Sequence, residues 1–167
     1  NTVFSGIKKL LAGETKIYSV TAKNFIETKR IFIKPTSDHY FEPAEFRRMA
    51  SETVRMCSIG QRKIGVFLSG GVDSTLNVSL MSEVIEKQVK TFSVAIEGDK
   101  DSNELDSANY IANYYNTDHH SLIVSKDDFI ESLPEVVKFQ DEPLADPVSI
   151  PLLHVSRLAR KNGTYVI

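Results

Sequence analysis

The 167-residue sequence has little of what marks a disulfide-bonded, membrane-spanning or nucleic-acid-binding protein. Its one cysteine, Cys57, cannot form a disulfide within the chain, which favours a reducing compartment, and we expect the cytoplasm. The 20 basic and 22 acidic residues nearly balance, so charge gives no reason to expect a nucleic-acid partner. No apolar run reaches the roughly 18 residues that a membrane-spanning helix needs, and no signal peptide is recognisable, so we expect no membrane partner.

What is present is the composition of an ordinary globular domain. Hydrophobic residues make up 41% of the chain and charged residues 25%, and the length suffices for one hydrophobic core. The chain starts at Asn1 rather than at a methionine, and its last residues, GTYVI, form an apolar run that no turn or partner strand follows. We therefore expect it to be part of a larger protein.

The first 41 residues and the remainder differ in pattern. Residues 1–41 contain two short β-like runs, KIYSV and RIFIK, between polar segments, and we interpret them as a connecting arm. From Glu42 the pattern becomes that of an amphipathic helix, with Pro43 in its first turn. Its apolar residues recur at three- to five-residue spacing and are Phe46, Met49, Val54 and Cys57. This spacing predicts that Cys57 belongs to the core.

Strands and helices then alternate to the end of the chain. The predicted strands are KIGVFL, VKTFSVAI, HHSLIV and TYVI. The predicted helices cover residues 74–87, 103–116, 126–139 and 151–161, with Gly163 as the cap after the last one. This alternation predicts an α/β fold in which right-handed crossovers build a parallel, twisted sheet with helices on both faces.

The most informative segment is IGVFLSGGVDSTL, residues 64–76, where an apolar strand gives way to a polar loop and then to a helix. Ligands of parallel α/β sheets bind beyond the carboxyl ends of the strands. Gly70 and Gly71 allow unusual dihedral angles and close approach of a ligand, and Ser69 and Ser74 add hydroxyl donors. The following helix N-terminus favours a phosphate or pyrophosphate. Asp73 would repel that anion unless Mg²⁺ bridges the two, so the loop predicts a magnesium–phosphate site.

Two familiar phosphate-binding loops do not match this segment. The loop lacks the Gly-Lys-Ser/Thr ending of Walker-type nucleotide loops and the third glycine of the dinucleotide fingerprint. A tight turn followed by a Ser or Asp helix cap explains the same residue types without any ligand, and it remains the alternative.

Three other groups of polar residues are candidate sites. Asp118, His119 and His120 resemble a metal cluster, but adjacent strand residues point to opposite faces, which favours a structural role. Glu104 opens a helix, where the helix dipole alone explains a carboxylate. Three acidic residues in the proline-containing loop before the last helix are candidates to line a substrate pocket or to be merely solvated: Asp141, Glu142 and Asp146.

The segment FLSGGVDST resembles the SGGxDS pyrophosphate loop of the ATP-pyrophosphatase group. Further stretches resemble the synthetase domain of the glutamine-dependent asparagine synthetase family across most of residues 42–167: KTFSVAIEG, NELDSANYIANYYNTDHHSLIVS and QDEPLADPVSIPLLHVSRLARKNGTYVI. FSGIKKLLAGE resembles the junction that follows the family's N-terminal glutaminase domain, although it has Leu11 and Ala12 where prolines are common.

The resemblance implies a fold, ligands and site residues. It implies the Rossmann-like fold of the adenine-nucleotide α-hydrolases, with ATP and Mg²⁺ as cofactors. The pyrophosphate portion of ATP would contact five loop residues, of which Asp73 would also bind Mg²⁺: Ser69, Gly70, Gly71, Asp73 and Ser74. The backbones of Leu68 and Val94 would hold the adenine.

The resemblance also implies a reaction and partners. The family adenylates a carboxylate, releases pyrophosphate and lets ammonia displace AMP, which makes this an ATP-dependent carbon–nitrogen ligase. Aspartate and glutamine-derived ammonia are the expected substrates, and a homodimer is possible. Residues 1–41 would be the junction after an upstream glutaminase domain, and 42–167 the first part of the synthetase domain. No catalytic residue is assigned, because the family's second motif would follow Ile167.

Three other functions stay open. Relatives within the family form β-lactams or modify peptides or sugars. Another enzyme of the ATP-pyrophosphatase group, such as a tRNA thiolase or a NAD synthetase-like enzyme, is a second possibility; a thiolase would be expected to bring cysteine pairs or a basic surface. The third is a non-catalytic nucleotide-binding or scaffold module, although a scaffold has no physical need for Asp73 beside two glycines.

Overall fold

The computed structural model describes residues 2–33, 40–60, 63–98, 103–140 and 146–167. The chain divides into two compact units, Asn1–Phe41 and Glu42–Ile167. Among the described residues, none of the helices combines the length and the apolar composition that a bilayer span requires.

The first unit is built on an antiparallel pair of strands, β1 (Glu14–Ser19) and β2 (Asn24–Arg30). The rings of Tyr18 and Phe25 pack edge to face across this pair, with centroids 5.2 Å apart. The KIYSV prediction is thus largely confirmed. The RIFIK prediction is wrong for residues 31–33, because the second strand ends at Arg30, and the last residue of RIFIK, Lys34, lies outside the described residues. The polar run NFIETKR forms the strand instead, since its pairing with β1 through a short turn fixes the register.

The second unit alternates helices and strands as predicted. Its elements are α1 (Pro43–Cys57), β3 (Gly65–Phe67), α2 (Val72–Val84), β4 (Lys90–Ile96), α3 (Asn103–Tyr114), β5 (Asp118–Val124), α4 (Lys126–Phe139) and α5 (Ser149–Lys161). The strands are parallel, in the order β3-β4-β5. The predicted strand TYVI contributes a single parallel bridge, Val166 to Ile64.

That bridge lies on the side of β3 away from β4. Gly65 N–H donates to Val166 C=O at 2.9 Å, whereas Leu68 N–H donates to Phe92 C=O on the opposite side at 2.8 Å. The chain therefore crosses from β3 to β4 to β5 in one direction and then returns to the far side of β3. In such sheets, the carboxyl end of the strand at this reversal borders the ligand crevice.

Helices cover both faces of the sheet, which confirms the predicted fold class. One core cluster joins the sheet to α2 and α3, and its buried members are Val66, Leu68, Val78, Met81, Val89, Ala108 and Ala112. The other lies on the opposite face and packs α5 against β4, through Phe92, Val155 and Ala159. Because neighbouring residues of a strand point to opposite faces, Val66 and Leu68 join the first cluster and Phe67 the second.

The prediction that Cys57 belongs to the core is wrong, because its side chain is exposed. Helix α1 contacts α2, and Val54 on its predicted apolar face packs against the core cluster under α2 and α3. Phe46 and Met49 remain about half exposed, at 47% and 55%. The amphipathic spacing identified the helix correctly, but it overstated how much of the apolar face the fold buries.

Two helices differ from their predicted bounds, one at Pro151 and one at the loop. Helix α5 starts at Ser149 rather than at Pro151, because a proline within the first turn forfeits no intrahelical bond. Helix α2 starts two residues earlier than predicted, at Val72, and ends at Val84 instead of Lys87. Gly163 follows α5 with φ at +72°, which confirms it as the left-handed residue after the cap.

The two adjacent imidazoles on β5 point to opposite faces, as predicted. His119 Nδ1 lies 2.9 Å from the Thr91 hydroxyl, whereas the His120 ring stacks on Phe92 with centroids 5.5 Å apart. Among the residues that the structure describes, no group of three or more His, Cys, Asp or Glu side chains is arranged to hold a metal ion. The two rings therefore make these contacts on opposite faces of the sheet.

We expect the free energy of unfolding to fall as the pH drops below about 6.5, partly because of His119. Burial, and to a lesser extent the neighbouring His120, lowers the pKa of His119. The folded state therefore takes up this proton at lower pH than the unfolded state does, so stability is complete above the ordinary pKa and is lost towards the folded one. The acid-side titration of Asp118 lies lower still, since Lys90 and His120 outweigh burial and lower its pKa.

Urea denaturation between pH 7.5 and 5 checks this expectation. The slope of stability against pH should be shallower in His119→Gln than in the parent protein, because that variant removes the titrating ring. Equal slopes would show that another group causes the pH dependence.

Candidate functional site

The polar loop Ser69–Ser74 leaves the carboxyl end of β3 and enters α2. Leu68, at its base, is 1% exposed and belongs to the core cluster under α2 and α3. A buried strand end thus anchors the loop, and the strand reversal beside β3 places it at the edge where parallel sheets bind ligands.

Two hydroxyl groups hold the loop in a closed ring. The Ser74 hydroxyl donates to Gly71 C=O at 3.1 Å and accepts the Ser69 N–H at 3.3 Å. The two hydroxyl oxygens lie 3.1 Å apart, and Gly71 N–H reaches the Ser69 oxygen at 3.3 Å. Both serines that the sequence singled out are therefore brought together, and in the described structure they shape the loop.

Gly70 is required by both its conformation and its surroundings. Its φ is +82°, in the left-handed region that favours glycine. A Cβ at this position would lie 2.7 Å from Ser107 Cβ and 3.0 Å from Ala108 N, on helix α3. Gly71 differs, because its φ of −73° is ordinary and a Cβ there would meet only the Ser69 hydroxyl, at 3.3 Å. The expectation of unusual dihedral angles is thus confirmed for Gly70 and wrong for Gly71.

The N-terminus of α2 is left open by its own sequence. The first-turn N–H groups of any helix lack intrahelical acceptors, and the cap residue here, Gly71, has no side chain to accept one of them. Helix α4 shows the contrast: the Ser125 hydroxyl accepts Asp128 N–H at 3.1 Å and donates to the Asp128 carboxylate at 2.6 Å. The alternative of a turn closed by a Ser or Asp cap therefore describes α4 and not α2.

Asp73 lies in the first turn of α2 with an exposed side chain. Within the part of the chain that the structure describes, its carboxylate makes no hydrogen bond or ion pair. A single carboxylate beside unsatisfied N–H groups suits Mg²⁺ that takes its other ligands from phosphate oxygens and water, which is how proteins usually bind this ion with nucleotides. The donor set therefore fits Mg²⁺ only together with a phosphate.

A cavity of about 460 Å³ opens beside the loop, at the carboxyl ends of β4 and β5. Ser69 and Val94 line it, together with residues of α3 and α5 such as Leu105 and Pro151. The structure thus brings Val94 next to the loop, while Leu68 is buried in the core. Mostly apolar walls beside an anion-binding helix end suit a flat base attached to phosphates.

Sequence reasoning missed two residues at this site. The Ser93 side chain is buried at 4% exposure, and its hydroxyl donates to the Leu68 carbonyl. Ser107 lies against Gly70 and limits the loop from the α3 side. A serine in a strand and another on a helix carry no pattern of their own; the sole sequence signal is the pair of small residues, Ser107 and Ala108, that lets a helix approach a glycine.

The other acidic candidates have different surroundings in the structure. Asp146 accepts the N–H of Val148 at 3.0 Å, which is the local turn of a residue before a helix. Asp141 and Glu142 lie outside the described residues. Glu104 lines the cavity from the first turn of α3, where the dipole also favours it.

Comparison with known proteins agrees with this geometry. The sequence model of the family described as Asparagine synthase matches residues 45–167. The chain is 38% identical over 104 residues to asparagine synthetase [glutamine-hydrolyzing] 1 of Bacillus subtilis, covering 62% of this chain and 16% of that protein. It is 31% identical over 135 residues to a putative asparagine synthetase [glutamine-hydrolyzing] 2 of Methanocaldococcus jannaschii, covering 80% and 26%.

The solved structures extend the comparison to the fold alone. An NH3-dependent NAD synthetase from Campylobacter jejuni superposes with a TM-score of 0.50 at 15% identity, over 75% of this chain and 56% of that one. The chain spans between a sixth and about a quarter of the length of the two curated relatives named above. With a family match over residues 45–167 and the loop, helix end and cavity that it contains, the chain belongs to the asparagine synthase family.

Proposed function

We propose that this chain is the nucleotide-binding part of an ATP-dependent amide-forming ligase that releases pyrophosphate. The observation that carries the proposal is the uncapped N-terminus of α2, which opens onto a glycine-shaped loop beside an apolar cavity. In this arrangement, the first-turn N–H groups of α2 and the loop face the pyrophosphate, and the cavity beside Val94 takes the adenine. ATP is thus held with its α-phosphorus between the two.

The chain's own groups act mainly on the leaving pyrophosphate. Negative charge builds on the bridging oxygen as the bond to the α-phosphorus breaks, and fixed N–H dipoles stabilise that charge without rearranging. Gly70 keeps the backbone close enough for these bonds, and Ser69 and Ser74 keep the loop closed. Asp73 would hold Mg²⁺, which supplies further neutralisation of phosphate charge when bound.

For the substrates, we propose aspartate and ammonia derived from glutamine, as the names of the curated relatives suggest. The aspartate side-chain carboxylate attacks the α-phosphorus of ATP, forming an acyl-adenylate and releasing pyrophosphate. Ammonia then attacks the acyl carbon, forming the amide and releasing AMP and a proton. We further propose that residues 1–41 connect this part to a glutaminase domain, and that the protein acts in the cytoplasm.

Exchange of labelled pyrophosphate into ATP by the full gene product, with Mg²⁺ and with or without aspartate, tests the proposal. Exchange that requires aspartate is the expected result, because only reversible adenylation returns pyrophosphate to ATP. Binding of MgATP without aspartate-dependent exchange would keep the nucleotide site and reject aspartate as the acceptor. Absence of MgATP binding would reject the proposed function as a whole.

A further inference from the structure

The pairing of β3 with β4 stops one hydrogen bond short at the edge of the cavity. The register pairs Phe67 with Phe92, and one more bond runs from Leu68 N–H to Phe92 C=O at 2.8 Å. In a continued parallel ladder, the Leu68 carbonyl would next accept the N–H of Val94. Leu68 lies outside the ladder, so that rung is not formed.

The Ser93 hydroxyl occupies the place of the missing rung. It donates to the Leu68 carbonyl, and its side chain is 4% exposed. The carbonyl, itself on a residue that is 1% exposed, is therefore satisfied without the backbone of β4. A buried carbonyl left without a donor would be costly, so the hydroxyl is what allows the strands to part here.

The missing rung leaves the N–H of Val94 without its usual partner in the ladder. Phe92 C=O faces β3, and because successive residues of a parallel strand direct their N–H and C=O groups alternately to the two sides, Val94 N–H faces β3 as well. Its ladder acceptor, the Leu68 carbonyl, receives the Ser93 hydroxyl, and the ladder ends one pair earlier, at Phe67 and Phe92. Val94 lines the cavity beside the loop, so its N–H is a donor available to a ligand there.

We propose that Ser93 is a positioning residue, whose hydroxyl replaces Val94 N–H at the Leu68 carbonyl and so frees that N–H for a ring-nitrogen acceptor of the nucleotide base. The inference rests on the proposed function, because it assigns the cavity to adenine. It explains why the backbone N–H of Val94, on the central strand of the sheet, is available to a ligand. Ser93 itself touches no substrate in this account.

Two variants separate this role from simple packing. In Ser93→Ala the Leu68 carbonyl loses its donor, so Val94 N–H should close the rung and leave the base without a partner. Ser93→Thr keeps the hydroxyl and should retain the open rung. The ligands are MgATP, MgITP (whose hypoxanthine presents N–H where adenine presents a ring-nitrogen acceptor) and magnesium pyrophosphate, measured by calorimetry on the full gene product.

The expected pattern is specific to the base. Ser93→Ala should bind MgATP about five- to tenfold more weakly, the size expected for one hydrogen bond, and should lose most of its preference for MgATP over MgITP. Magnesium pyrophosphate, which contacts only the loop, should bind as in the parent protein. Ser93→Thr should restore the MgATP affinity and the preference.

Hydrogen exchange without nucleotide supplies the second readout. The Val94 amide should exchange more slowly in Ser93→Ala than in the parent protein, because the new rung protects it. Unchanged MgATP affinity and Val94 exchange in Ser93→Ala would overturn the inference, as would equal losses for MgATP and pyrophosphate. A parent protein that binds pyrophosphate but not MgATP would overturn it too, and one that binds neither would reject the proposed function itself.

Discussion

Replacing Asp73 by asparagine should lower the rate of aspartate-dependent ATP–pyrophosphate exchange by about 100-fold or more. The substitution removes the carboxylate that would hold Mg²⁺, and that ion neutralises the charge that develops on the pyrophosphate in the transition state. Asparagine keeps the size and one oxygen of the side chain, so the loop should stay intact. The gain in ATP affinity that Mg²⁺ provides should fall about 10- to 100-fold, because a neutral amide is a poor ligand for a hard cation. Calorimetric titrations of ATP at several Mg²⁺ concentrations measure this change.

Asp127→Asn is the matched control, because Asp127 is also an exposed carboxylate in the first turn of a helix that follows a parallel strand. Helix α4 is capped by Ser125, so its N-terminus is not open to a phosphate. Without a phosphate beside it, Asp127 has no partner with which to hold Mg²⁺. Asp127→Asn should leave exchange and magnesium dependence unchanged. If both variants behave alike, or if Asp73→Asn binds MgATP normally, the carboxylate of Asp73 has no part in holding the metal.

Replacing Gly70 by alanine should lower the free energy of unfolding by about 3 kcal/mol and abolish binding of magnesium pyrophosphate. A left-handed backbone costs an alanine about 1–2 kcal/mol, and overlap with a packed neighbour adds a comparable amount. The new Cβ would lie 2.7 Å from Ser107 Cβ and 3.0 Å from a backbone nitrogen of α3, neither of which is the flexible end of a side chain. The loop must therefore move away from α3, which disturbs the anion site. Denaturation and calorimetry measure the two effects.

Gly163→Ala isolates the contribution of the backbone conformation. Gly163 has φ at +72°, and the nearest atom to its added Cβ is the mobile Nζ of Lys63, at 3.8 Å. The loss should be about 1–2 kcal/mol, with pyrophosphate binding retained. A Gly70→Ala protein with no more than this loss and with normal binding would contradict the contact between the loop and α3.

Alternation of apolar runs was enough to predict most of the fold. Helix α4 begins and ends where the sequence predicted, because its cap residue Ser125 and its strong apolar spacing agree. Helix α1 was found by the same spacing, yet Cys57 lies at the surface. Spacing indicates which residues share a face, whereas the amount of that face which is covered depends on contacts between distant elements.

The candidate site was predictable where chemistry needs particular residue types. The two glycines of the loop stand out in the sequence, and the structure shows that Gly70 is the one with a left-handed backbone and a close approach to α3. Ser93 could not be found this way, because its role depends on one missing hydrogen bond between β3 and β4. Which carbonyl a buried serine meets is set by strand register, and a single strand does not reveal its register.

Hydrogen exchange of the full gene product, with and without magnesium pyrophosphate, tests the central claim most directly. We expect slower exchange in peptides that cover the loop and the first turn of α2, because their N–H groups become donors to the anion. Peptides over the capped N-terminus of α4, at Ser125–Asp128, should not change. Pyrophosphate that binds while the α2 peptides exchange as before, or that protects both helix ends equally, would contradict the assignment of Ser69–Ser74 as the pyrophosphate site.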